Sequence, residues 1–103
     1  MRLKNYTPLD TDWLRKAVAA VKPANVTKFD ISIKNSKRGN RGYAYWNGCA
    51  YHSTHAPLVT IGLRKDTVFP YRTCAGRGYI GFTLYSIREV AVFIIAHELR
   101  HLW

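Results

Sequence analysis

Acidic residues are few in this chain: six Asp plus Glu stand against sixteen Lys plus Arg, a formal net charge of +10. An excess of that size favours a polyanionic partner, nucleic acid first. Cysteine is scarce too. Cys49 and Cys74 lie far apart in no C-x-x-C pattern, so they read as two buried reduced thiols of a cytosolic chain, with a lone disulfide as the alternative, and are a weak metal signal. No apolar run is long enough to span a membrane, and the opening "MRLKNYTPLDTDWL" lacks the apolar stretch of a secretory signal. A cytoplasmic location is therefore expected, with no membrane partner. Internal repeats, low-complexity tracts and a domain boundary are also missing. What is present is a 48% hydrophobic share with 14% aromatics, enough for one folded domain over residues 1–103 rather than a disordered chain.

The periodicities predict the elements. "TPLDTDWLRKAVAAVKP" reads as the first helix, with Thr7 as cap, Pro8 at the first helical position and Asp10 as the capping-box acid. Trp13, Leu14, Ala17, Val18 and Val21 give it one apolar face, and Pro23 ends it. In "KFDISIK", Phe29, Ile31 and Ile33 alternate with polar residues, the pattern of a half-buried strand. "NSKRGNRG" is a turn. "YAYWNGCAY" and "PLVTIGL" read as two further strands, antiparallel neighbours because "HSTHA" between them is too short for a crossover helix. "RKDTVFPYRTCAGRGYIGF" reads as a loop. The last helix opens with a capping box, Ser86 and Glu89, and runs from Ile87 to Trp103. Its middle, "VAVFIIA", is apolar all round, which predicts burial on every side. The expected fold is α+β: an N-terminal helix, a three-stranded, mainly antiparallel sheet and a buried C-terminal helix.

That last helix ends in "AHELRHLW", which contains H-E-x-x-H: His97, Glu98 and His101. Residues four apart on a helix share a face, so both imidazoles can turn a ring nitrogen to one ion, and zinc suits such a pair. Glu98 is rotated by about 100° from His97. It therefore falls beside the ion, where it can accept a proton from a water.

The motif and its flanks, after a helix and three strands, resemble the N-terminal part of a zincin metallopeptidase. The nearest likeness is to the SprT-like group with its compact αβββα core. Arg100 departs from the pattern, occupying a motif position where zincins usually carry an uncharged residue. The resemblance implies His97 and His101 as Zn²⁺ ligands, Glu98 as general base, and hydrolysis of a peptide or protein substrate held extended along an edge strand. In such families the third ligand comes from a segment downstream of the motif. Here three sources are open: the continuation of a longer protein, His52 or His55 of "YHSTHA", or another subunit. The apolar end of the helix, with Leu102 and Trp103, predicts a homo-oligomer formed through that helix.

A second feature is basic. Lys34, Lys37, Arg38 and Arg41 cluster just before Tyr43, Tyr45 and Trp46, with Arg72 and Arg77 in the later loop. Cations at a hairpin tip neutralise phosphates and nearby rings stack on unpaired bases. The alternative function is accordingly a basic nucleic-acid-binding module that keeps H-E-x-x-H as a structural or vestigial feature.

Overall fold

The computed structural model describes residues 1–45, 57–73 and 81–103. Its elements run β1 (Arg2–Asn5), α1 (Thr11–Val21), β2 (Asp30–Asn35), β3 (Arg41–Tyr45), β4 (Leu58–Leu63), β5 (Tyr71–Arg72), β6 (Thr83–Leu84) and α2 (Ile87–His101). The result is a small α+β fold of two helices, a four-stranded mixed sheet in the order β1-β2-β4-β3, and a two-stranded β5-β6 pair.

Two expectations about the sheet are corrected. A strand precedes the first helix, so the sheet has four strands and not three. It is also not mainly antiparallel: β1 runs parallel to β2 and β2 parallel to β4, and only β3 runs against its neighbour β4. The expected antiparallel pairing of "YAYWNGCAY" with "PLVTIGL" is present, as Tyr43 opposite Thr60 and Ala44 opposite Val59. Parallel pairing of β1 and β2 is possible because α1 supplies the crossover that a parallel pair needs. Between β2 and β3 the chain crosses the end of β4, and β4 then inserts between them. Gly39 allows that crossing with φ at 120°, a conformation that costs little only without a Cβ.

Alternation decides which face is buried. Ile31, Ile33, Val59, Ile61 and Leu63 are within the core, together with Leu14 and Val18 of α1 and Val90, Ile95 and Leu99 of α2. The opposite face of the sheet carries Ser32, Lys34, Arg41, Tyr43 and Thr60, none of them buried.

Both helices are capped by side chains, but α1 not by the expected one. Asp10 Oδ2 accepts from the Trp13 backbone N–H at 2.8 Å. Thr7 instead folds back on Asn5, its N–H and its hydroxyl donating to Asn5 Oδ1 at 2.9 and 2.7 Å. Residues 6–10 are needed to turn out of β1, which delays the helix start. The box on α2 forms as expected: Ser86 Oγ accepts from the Glu89 N–H at 3.2 Å and lies 3.3 Å from its carboxylate. The helix stops at His101, two residues before the expected end. Its burial is one-sided rather than all round. Val90, Ala91, Ile94, Ile95, Glu98 and Leu99 are buried, whereas Val92, Phe93 and Ala96 are half-buried. α1 and the sheet cover α2 from one side, and Trp103 is 69% exposed. Among the described residues no helix is long and apolar enough to cross a membrane.

Candidate metal centre

The last two turns of α2 bring His97, Glu98 and His101 together, with one donor atom from each within 4.8 Å of the others. The two Nε2 atoms are 3.2 Å apart and the rings meet edge to face, at 82° with centroids 4.9 Å apart. Two nitrogens bound to one tetrahedral ion at about 2.0–2.1 Å would be about 3.3 Å apart. The imidazole pair thus has the spacing that a shared ion requires, and without an ion one ring N–H is within hydrogen-bond distance of the other ring's nitrogen. A metal ion could be held by this group. The His97 side chain is 39% exposed and His101 is exposed, so the approach to the nitrogens is from solvent.

Glu98 faces the other way, into the protein, and is 6% exposed. Its Oε1 lies 3.8 Å from His97 Nε2, within ion-pair distance and longer than the spacing of two donors on one tetrahedral ion. Burial pushes its carboxyl above the usual range, while the two imidazoles pull it back more weakly.

What admits Glu98 is a residue that sequence reasoning passed over. Gly42, on β3, faces α2. A Cβ there would be 2.5 Å from Glu98 Cγ and 2.8 Å from Ile94 Cγ2, so no other residue fits unless those side chains or the helix shift. The available signal was a glycine inside an otherwise aromatic strand, which often marks a close approach of another element. Arg100, the residue at odds with the motif, stays out of the centre. It is exposed, its guanidinium 5.1 Å from the centroid of the Trp103 ring.

The basic residues gather elsewhere. Lys34, Lys37, Arg38 and Arg41 line one concavity of about 420 Å³ on the uncovered face of the sheet, with Tyr43 and Thr60. Arg72 is not among them. It donates to Thr83 Oγ1 at 3.2 Å across the β5-β6 pair. His52, His55, Trp46, Cys49, Cys74 and Arg77 lie outside the described residues, as does the side chain of Tyr45. The chain matches no family model, no curated protein and no solved structure.

Proposed function

We propose that His97 and His101 hold a zinc ion and that Glu98 is the general base of a peptide-bond hydrolase. The observation that carries this is the 3.2 Å separation of two imidazole nitrogens with a buried carboxylate 3.8 Å away. Zinc bound by such residues lowers the pKa of a water to about 7 and polarises a carbonyl oxygen. Glu98 takes the proton of the attacking water and passes it to the leaving amine. Gly42 positions Glu98 by leaving room for its stem. Catalytic zinc ordinarily has three protein ligands, and the third is assigned to a donor outside the described residues: a segment beyond Trp103, His52 or His55, or a second subunit. The position of α2 beside the antiparallel edge strand β3 supports a zincin-like reading.

The test separates metal from chemistry. Zinc content after dialysis is measured by mass spectrometry, and hydrolysis with an unfolded protein substrate. Glu98→Gln is expected to keep zinc and lose hydrolysis by about 10²–10⁴-fold, the usual contribution of a proton-transfer group. His97→Ala is expected to lose the zinc. Hydrolysis that survives Glu98→Gln removes the base assignment, and zinc that survives His97→Ala removes the metal assignment.

A further inference from the structure

We propose that the uncovered face of the sheet carries a phosphate-binding seat, floored by Gly62 and flanked by Lys34 and Arg41. The register places these three in one row across three strands: Lys34 pairs with Gly62 on one side, and Arg41 pairs with Gly62 on the other. Neighbouring strands are about 4.8 Å apart, so the two cationic residues stand about 10 Å apart along the row, and the side chain that lies over Gly62 between them is that of Ser36. A phosphate in the concavity would meet the Ser36 hydroxyl with a lysine on one side and an arginine on the other. The turn from β2 to β3 forms one wall. It brings Lys37 and Arg38 to the same concavity, and the hydroxyls of Ser36 and Thr60 line it as further donors.

Charge argues for an occupant. Four cationic residues line about 420 Å³, and no carboxylate of the described residues lines the space or pairs with them. Nothing in the core calls for that grouping, since all four side chains are exposed. Mutual repulsion disfavours it until an anion arrives. A single carboxylate would use only part of this donor set. A phosphate, with more charge and more acceptor oxygens, matches two flanking cations and adjacent hydroxyls, and the Arg41 guanidinium can engage it in a bidentate manner. The volume falls in the range of small-molecule sites, about 300–1,000 Å³, so more than a bare phosphate fits. Tyr43 holds Arg41 at the edge of the concavity: the guanidinium lies 5.9 Å from its ring centroid and Nη1 donates to its hydroxyl at 3.5 Å. The phosphate could be carried by a small phosphomonoester or by the backbone of a single-stranded nucleic acid.

Binding is measured on metal-free protein by fluorescence anisotropy of a labelled twelve-nucleotide oligothymidylate, with inorganic phosphate and thymidine monophosphate as competitors. The double variant Lys34→Ala, Arg41→Ala is compared with Lys16→Ala, Lys28→Ala, which removes the same charge from exposed positions elsewhere. The seat variant should weaken oligonucleotide binding by about tenfold or more, and the control by about threefold or less. Gly62→Ala, which adds one methyl group to the floor without changing charge, should also weaken binding, with its melting temperature reporting on folding. Competition by inorganic phosphate or the mononucleotide identifies a seat for single phosphate groups. Oligonucleotide binding without such competition identifies the polymer as the source. Equal weakening by the two charge-matched doubles overturns the seat in favour of diffuse attraction, and so does a failure of every probe to bind.

Discussion

Gly42 and Gly62 sit on adjacent strands, one residue out of register, and face opposite sides of the same sheet. Each does its work by lacking a side chain. Toward α2, the missing Cβ of Gly42 lets a helix come close and seats the Glu98 carboxylate in apolar surroundings. Toward the uncovered face, the missing Cβ of Gly62 lets the Ser36 turn fold over β4, which brings the Ser36 hydroxyl between two cationic residues. The same omission produces two chemically opposite places. On the covered side a charge is buried and its protonation shifted, which suits proton transfer. On the open side charges are collected where water still screens them, which suits recognition of an anion. The difference lies in what each strand face is packed against, and only the covered face contributes much to stability.

The sharpest break between the two faces should be thermodynamic. Leu99, fully buried on α2 beside the triad, is expected to cost about 2–5 kcal/mol as Leu99→Ala, the range for core truncations, read from urea unfolding. Lys34→Ala on the open face should stay within about 0.5 kcal/mol. A Leu99 variant as mild as the Lys34 variant would mean that α2 is not held by the core as described. Next in size is Gly42→Ala, expected to cost about 1–3 kcal/mol by overpacking, because the new methyl would meet Glu98 and Ile94 at 2.5–2.8 Å. Repeating that substitution in a Glu98→Ala background removes the closer clash. The cost should then fall, giving a coupling of about 0.5–3 kcal/mol. Additive costs would show that Gly42 and Glu98 do not meet.

Much of the covered face was legible in the sequence. The alternation of Phe29, Ile31 and Ile33, the apolar run of "PLVTIGL", the Ser86–Glu89 box and the H-E-x-x-H spacing each reflect a local rule, and each falls where the rule puts it. What was missed depends on contacts distant in sequence. "RLKN" has a single apolar residue, Leu3, and no alternation to mark it as β1. It is a strand because Ile31 and its neighbours offer an edge to pair with. Parallel pairing of β2 with β4 was hidden because chain order suggests pairing with the next strand, whereas β4 inserts between two strands made before it. Thr7 and Asp10 are both good capping residues, and the choice between them turned on how much chain is needed to leave β1. The one-sided burial of α2 follows from which elements surround it, and its own apolar run does not specify that. As for the sites, the triad and the four cations could be listed by type and spacing alone. Neither glycine could be assigned a role until the element it admits was known.

The smallest expected effect tests the comparison most closely. A Cβ on Gly62 would lie 3.1 Å from Ser36 Cβ, 3.6 Å from its Oγ and 3.7 Å from Arg41 Cγ. The first contact is tight by only a few tenths of an ångström, and Ser36 belongs to a turn that is not buried. Such a turn can give way where α2, locked by Ile95 and Leu99, cannot. Replacing glycine by alanine also removes conformational freedom from the unfolded chain, a stabilisation of about 0.4–1 kcal/mol where the backbone is compatible, and the φ of Gly62 is not in the left-handed region. Crowding and entropy should nearly cancel, leaving Gly62→Ala within about 0.5 kcal/mol of the native protein, measured by the same urea titration as Gly42→Ala. A Gly62 cost equal to that of Gly42 would mean that the turn over β4 is as rigid as the helix. The two faces would then differ in charge alone and not in how firmly they are packed.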